Sequence, residues 1–267
     1  VIPKVSVIIP TYNRSELLLR AIESARAQTV GEIEILVCDD GSTDDSRKRV
    51  ENLGDTRIQW IQGKHSGRPA PARNRGISLS RGEWLAFLDS DDIWFPKKIE
   101  NQLNILEKTG LQASATNALR LGPSGNCEGS YQRFSDPTIN LRKILRSNWV
   151  ICSSALINRS LVSRVNGFPE DQAFKGIEDY ALWIRVASLT DFAYDAEPCL
   201  YYLDDASNSI RGSLPPQEAF RVEIEQRKRV IRDFLRWSSG DPSGKILDRI
   251  LGNTFLLREK FKSLVLG

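Results

Sequence analysis

Trp84-Leu85-Ala86-Phe87-Leu88-Asp89-Ser90-Asp91-Asp92 decides how the rest of the chain is read. Five apolar residues run directly into three carboxylates within four positions. An apolar run of this length, bounded by Gly82 on one side and charge on the other, predicts a strand buried on both faces. Its end delivers Asp89, Ser90, Asp91 and Asp92 together, and ligands of open α/β sheets bind at the carboxyl ends of the strands. Packing gives no reason to gather like charges there. A divalent cation carrying phosphate oxygens neutralises them, and such sites hold Mg²⁺ or Mn²⁺ through one or two carboxylates plus the phosphates. The competing reading is a solvated acidic turn that caps the next helix.

On either side of this run, strands alternate with helical patterns. Val5 to Pro10 is a β-rich opening strand stopped by proline, followed by the loop Thr11-Tyr12-Asn13-Arg14. Asn13 and Glu16 have the spacing of a capping box, and Leu17, Leu18, Ala21, Ile22 and Ala25 share a helical face. Ile33 to Cys38 is a second strand ending in Asp39-Asp40-Gly41-Ser42, with Ser42 or Thr43 suited to cap the helix that runs through Val50. Arg57 to Ile61 is a third strand. This alternation predicts parallel pairing. A loop from Gly63 to Pro71 leads to a short helix from Ala72 to Ser80, with Arg73, Asn74 and Arg75 in its first turn. Basic residues there oppose the helix dipole, so a nearby anion explains them better than solvent does, though solvent suffices for Arg75.

Beyond the acidic strand end, Pro96 opens a helix with Ile99, Leu103 and Leu106 inward, closed by Gly110. Gln112 to Leu121 is a strand that turns at Gly122–Gly125. Ile139 to Leu145 is helical in pattern, and Trp149 to Asn158 is a loop and then a strand. Glu178 and Asp179 open an apolar helix, where capping alone would accommodate acids. Short strands around Phe192 and Leu200 follow. From Pro216 the pattern is helical only, with Phe220, Ile224, Ile231, Phe234 and Leu235 on one face. Ile246, Leu247, Ile250, Leu251, Leu257 and Phe261 share another, after a polar, Gly/Pro-containing break at 238–244.

The composition is that of an ordinary globular chain: 267 residues, 40% hydrophobic and 27% charged, enough for one large α/β domain or one domain with an appendage. No window approaches the ~18 uninterrupted apolar residues of a membrane span. Four cysteines, Cys38, Cys127, Cys152 and Cys199, lack C-x-x-C spacing, and no basic-then-apolar leader is seen, so the expectation is reduced thiols in a cytoplasmic protein. The formal charge of +3 is uneven. From Pro216 onward 11 Lys/Arg face 7 Asp/Glu, a net of +4, whereas the preceding 215 residues are close to neutral.

Five segments taken together resemble the family 2 glycosyltransferases: Val5-Ser6-Val7-Ile8-Ile9-Pro10-Thr11-Tyr12-Asn13-Arg14, Asp39-Asp40-Gly41-Ser42-Thr43-Asp44, Ala72-Arg73-Asn74-Arg75-Gly76, Asp89-Ser90-Asp91-Asp92 and Glu178-Asp179-Tyr180-Ala181-Leu182-Trp183. Their order and spacing follow the family over roughly residues 3 to 205. The resemblance implies an α/β fold of GT-A type, a nucleotide-binding sheet with flanking helices, as a catalytic domain over 1–215. The helical extension would be 216–267. It also implies an inverting transferase using a nucleotide-sugar donor, most plausibly a UDP-sugar, and a glycan or lipid-linked acceptor, with Mn²⁺ or Mg²⁺ as cofactor.

By the same resemblance, Pro10, Thr11, Tyr12, Arg14 and Asp40 would hold the base of the nucleotide, with Asp40 accepting from a ring N–H. Arg73 and Asn74 would lie near ribose and diphosphate, Asp89 and Ser90 near the ribose, and Asp91 would ligate the metal. Asp179 would be the catalytic base, with Glu178 beside it. The chemistry suits those residue types: a metal neutralises the leaving diphosphate, and an ionised carboxylate takes the acceptor hydroxyl's proton. Assembly of surface polysaccharide, on the inner face of the cytoplasmic membrane, is the family's usual employment.

Other readings fit less well. A HAD-type phosphatase would want Thr or Val two residues past its second acid, where Ile93 and Trp94 follow Asp92. A nucleotidyltransferase would carry a Gly-rich, Lys-containing loop where Thr11-Tyr12-Asn13-Arg14 stands. A dehydrogenase would need G-x-G-x-x-G there. A catalytically degenerate fold acting as a nucleotide-binding or assembly module is the main non-enzyme alternative, disfavoured because every expected acid is present. No Gln-x-x-Arg-Trp signature of processive synthases occurs, which favours single addition, and nothing points to nucleic acid. The basic C-terminal helices either touch an anionic membrane, or pack on the core or a second copy. His65 receives no role.

Overall fold

The computed structural model describes residues 2–122, 124–132, 136–203 and 216–240. Its centre is a mixed sheet whose strands lie in the order β3-β2-β1-β4-β9-β6-β10-β5. The first half is parallel: β1 (Val5–Thr11), β2 (Ile33–Asp39), β3 (Ile58–Gln62) and β4 (Trp84–Phe87). Every residue of β1 and β2 is buried, as expected for strands covered by helices on both faces. In β4, Leu85, Ala86 and Phe87 are buried, and Leu88 continues the pairing by donating to Ile8 O at 3.0 Å.

The connecting helices are α1 (Ser15–Arg26), α2 (Ser46–Glu51) and α3 (Pro69–Leu79). α1 buries Leu18, Ala21, Ile22 and Ala25 as its periodicity predicts. The caps differ from expectation. Asn13 does not cap α1; it adopts φ +49, and its Oδ1 accepts from Thr43 N at 2.8 Å, tying the two loops together. Ser42 and Thr43 do not cap α2, which starts three residues later and receives Asp44, whose Oδ1 accepts from Ser46 N at 3.1 Å. The helix predicted from Ala72 begins at Pro69, because proline is favoured in a first turn where its missing N–H is not needed. Arg73, Asn74 and Arg75 therefore sit in the second turn. α3 lies close to the sheet, since a Cβ on Gly76 would come within 2.7 Å of Cys38 Sγ and 2.8 Å of Ile8 Cγ2.

The second half of the sheet is mixed. It contains the two-residue β5 (Ile93–Trp94), then β6 (Ala113–Leu121), β7 (Cys127–Ser130), β8 (Thr138–Ile139) and β9 (Leu156–Asn158). Where two short strands were expected near Phe192 and Leu200, there is one long strand, β10 (Phe192–Leu203), parallel to β6 and irregular on either side of Pro198. Proline cannot donate to the ladder, which accounts for the break. β9 runs antiparallel between β4 and β6.

α4 (Lys98–Thr109) ends at left-handed Gly110, as read from sequence. α5 (Leu141–Ile144) and α6 (Arg159–Arg164) are short. α7 (Glu178–Leu189) is almost wholly buried, with Trp183 amid Phe87, Phe168 and Phe192. α8 (Pro216–Ser238) lies against it: Val230 and Phe234 join the same core, and Arg185 pairs with Asp233 at 2.6 Å. This part of the C-terminal extension takes the packing option. The apolar face from Ile246 to Phe261 lies outside the described residues. Among the described residues no helix is long and apolar enough to cross a membrane. All four cysteines are free thiols.

Candidate active site

The parallel register brings the loops after β1, β2 and β4 to one edge, with Thr11 opposite Asp39 and Ile8 opposite Phe87. A cleft of about 1380 Å³ opens there. Pockets for a single small ligand run to about 300–1,000 Å³, so this one has room for two substrates. Pro10, Thr11, Tyr12, Arg14, Asp40, Arg73, Asp89, Ser90, Asp91, Glu178 and Asp179 all line it. Asn74 does not. Its amide spans the Phe168 backbone, donating to Phe168 O at 2.8 Å and accepting from Phe168 N at 3.0 Å. These contacts make Asn74 a structural tie between α3 and the 167–170 turn.

The acids divide by environment. Asp39 closes its own turn, accepting from Gly41 N at 3.1 Å and Ser42 N at 3.0 Å. Asp40 accepts from Ser66 N at 3.0 Å, Ser66 Oγ at 2.8 Å and Gly67 N at 2.9 Å. A carboxylate has about four lone-pair positions, so Asp40 keeps little capacity for a ligand. Its main task is to fold the 65–67 loop against β2. That loop sets His65, unassigned from sequence, against Tyr12 with ring centroids 4.2 Å apart, and His65 Nδ1 lies 3.0 Å from Asp40 O.

Asp89, Asp91 and Asp92 are not equivalent either. Asp92 is buried; Ser153 Oγ and Leu203 N donate to it, so it fastens β10 to the site floor. Burial and the charges of Asp91 and Asp89 hold its carboxyl well above the usual range. Asp89 receives Arg73 Nη2 at 2.5 Å, and the same guanidinium reaches Glu178 Oε1 at 3.1 Å. The anion expected near Arg73 is thus the protein's own pair of carboxylates. Burial raises Glu178, with Arg73 opposing and Asp179 reinforcing. Asp91 pairs with Arg14 at 2.6 Å. Burial and the Asp89 charge push its carboxyl up, and Arg14 pulls it down.

In the same cleft, Asp179 stands half-buried at the start of α7, accepting from Asn148 Nδ2 at 3.3 Å and from Tyr180 N at 2.7 Å. Beside it Val222, Glu223, Gln226 and Arg227 of α8 line the wall. They recur as i, i+1, i+4 and i+5, one stripe of a helix. This wall was not legible in the sequence, because nothing local says which face of α8 meets the cleft. Ser153 was missed for the same reason. Its Oγ accepts from Asp89 N at 2.9 Å while donating to Asp92.

Among the described residues no three His, Cys, Asp or Glu side chains are grouped to hold a metal. The edge still suits a cation bound by Asp91 and phosphate oxygens, because Asp91 is a desolvated carboxylate beside a second negative charge.

Residues 6–165 match the family model for glycosyl transferase family 2. The chain is 35% identical over 184 residues to the UDP-Glc:alpha-D-GlcNAc-diphosphoundecaprenol beta-1,3-glucosyltransferase WfaP of Escherichia coli, covering 69% of this chain and 70% of that one. It is 32% identical over 183 residues to WfgD of Escherichia coli, which bears the same description, with 68% and 69% covered. Among solved structures, S. aureus TarS 1-349 in complex with UDP-GlcNAc superposes with a TM-score of 0.67 at 18% identity, covering 98% of this chain and 79% of that one. That last likeness is one of fold, and it agrees with the GT-A-type sheet expected from the resemblance.

Proposed function

The chain belongs to glycosyl transferase family 2 and is a glycosyltransferase, and from that premise we propose that it transfers a sugar from a UDP-sugar to a hydroxyl of a lipid-linked saccharide, with inversion. The observation that carries this reading is that Asp179 and the Asp89–Asp91 edge line one cleft of about 1380 Å³. The named activity of the two E. coli relatives, glucosyl transfer from UDP-Glc to a diphosphoundecaprenol-linked GlcNAc, supports the substrate classes. Surface-polysaccharide assembly is the corresponding biological setting.

In this reading Tyr12 and the Thr11–Arg14 loop bind the nucleotide. Among the described residues Thr11 Oγ1 is buried without a hydrogen-bond partner, which suits a site completed by a ligand. Asp91, together with the donor's phosphate oxygens, would hold a divalent cation, whose chemistry there is to neutralise charge on the departing diphosphate. Asp179 accepts the proton of the acceptor hydroxyl as its oxygen bonds to the anomeric carbon. The bond from that carbon to the phosphate oxygen breaks on the opposite face, and UDP leaves with the electron pair. Asn148 orients the Asp179 carboxylate, and Arg73 holds Glu178 in place beside it. α8 supplies Glu223 and Gln226 toward the acceptor.

The test is incubation of the purified chain with radiolabelled UDP-glucose, Mn²⁺ and a synthetic GlcNAc-diphospho-lipid. Label in the lipid product is expected. Label that stays in the donor across a panel of UDP-sugars and such acceptors would refute the substrate assignment.

A further inference from the structure

Two acids of the sheet edge face the cleft, and each has an arginine, but the two arginines are built differently. Arg73 is 5% exposed at its side chain and grips Asp89 and Glu178 together. It stacks its guanidinium over Phe168 at 5.2 Å. Releasing it would leave two carboxylates, one of them the buried Glu178, without their shared counter-ion. Arg14 is 35% exposed, stands at the loop-to-helix junction before α1, and among the described residues its guanidinium pairs with Asp91, itself 28% exposed, through one 2.6 Å bond from Nη1. Its backbone is fixed by Leu18 N donating to Arg14 O at 2.9 Å, so the side chain can swing from an anchored base. One counter-ion is locked and the other is releasable.

The releasable one sits on the carboxylate suited to a cation. A guanidinium and a divalent cation cannot both lie against Asp91 without strong repulsion. A diphosphate offers the displaced arginine a better partner, because its oxygens accept the planar fork bidentately. We propose that Arg14 is the resident counter-ion of Asp91, and that it yields this carboxylate to a divalent cation when a nucleoside diphosphate arrives to receive its guanidinium. Arg14 is then a positioning residue that makes cation and nucleotide bind together and discourages the cation alone. The inference rests on the nucleotide-and-metal reading above and adds a sign to it. Arg14 opposes the cation in the absence of nucleotide and favours it in its presence. Coupling of this kind is reciprocal between the two ligands.

The experiment is calorimetric titration of Mn²⁺ into the full chain, with and without saturating UDP, for wild type, Arg14→Ala, Arg14→Lys and Asp91→Ala. Without UDP, Arg14→Ala is expected to bind Mn²⁺ about tenfold more tightly than wild type, within the 5–150-fold span of typical couplings. With UDP the order reverses. Arg14→Lys keeps the charge without the fork and falls between, and Asp91→Ala responds in neither state. Circular dichroism establishes that each variant is folded. Equal Mn²⁺ affinity of wild type and Arg14→Ala without UDP, or an unchanged UDP–Mn²⁺ coupling in Arg14→Ala, would overturn the role of Arg14 while leaving the site standing. A wild type in which UDP and Mn²⁺ bind independently would overturn both.

Discussion

Asp89, at the end of β4, and Glu178, in the first turn of α7, are joined through one buried guanidinium: Arg73 lies 2.5 Å from the first and 3.1 Å from the second. Residues 89 positions apart in the sequence thus share a single charge. The bridge sets the spacing of the β4 end from the start of α7, and it cannot be removed cheaply.

Arg73→Ala should therefore destabilise the fold and abolish transfer. Removing one partner of a buried ionic group typically costs about 3–5 kcal/mol. Arg73→Lys retains the charge but cannot fork to two carboxylates, so it should melt between the other two. Denaturant unfolding followed by tryptophan fluorescence measures this. A wild-type midpoint for Arg73→Ala would remove the bridge from the account.

Asp179→Asn keeps the shape while removing the proton acceptor, although its single amide oxygen can accept from only one of Asn148 Nδ2 and Tyr180 N. UDP affinity should stay within about twofold of wild type, and the turnover number should fall by about 10²–10⁴, the usual worth of a positioned general base. Comparing calorimetry with single-turnover transfer separates the two effects. Normal turnover in this variant would assign the base elsewhere.

The α8 wall predicts a different signature. Glu223→Ala combined with Gln226→Ala should raise the KM for the acceptor about tenfold, the equivalent of roughly one lost hydrogen bond of 1–1.5 kcal/mol. UDP affinity and the slow hydrolysis of donor by water should not change. The Arg185–Asp233 pair and the buried Val230 and Phe234 hold α8 in place independently of these two side chains. A parallel loss of UDP affinity would show that α8 does not act on the acceptor.

Much of this was legible before any coordinates, for a physical reason. β1, β2 and β4 are buried on both faces, so their sequences are continuous apolar runs whose ends point to the ligand edge. What stayed hidden depends on distant partners. On spacing alone Glu178 and Asp179 are ordinary acids of a helix start, and only the family resemblance singles them out; their contacts with Arg73 and Asn148 are visible in the fold alone. The hold of Asp40 on Ser66 and Gly67, 26 and 27 residues away, is likewise not written in the local sequence. β10 was cut in two because Pro198 interrupts its pattern, although β6 pairs with it on both sides of the break.

Lys98 gives a test of the fold at a distance from the chemistry. It is fully buried, donates to Gln102 Oε1 at 2.7 Å and lies 4.2 Å from the Trp94 ring centre. Burial pushes its amine down to about 7, with nearby Cys199 acting weakly in the other direction. Between about pH 7 and the ordinary lysine value near 10.4 the unfolded chain binds more protons than the folded one. Stability from this group therefore rises with pH across that window, and its full penalty is present below it. Lys98→Met should stabilise the protein relative to wild type at pH 6, an advantage that shrinks by pH 10. Urea denaturation at both values checks this, and a pH-independent difference would contradict it.

The most direct measurement is calorimetric binding of UDP, GDP, dTDP and CDP to the intact chain, each with Mn²⁺ and again with EDTA. The account predicts that UDP binds more tightly than the other three, and that EDTA or Asp91→Ala removes most of that affinity. Equal binding of all four diphosphates, or UDP binding that is indifferent to the metal, would contradict it.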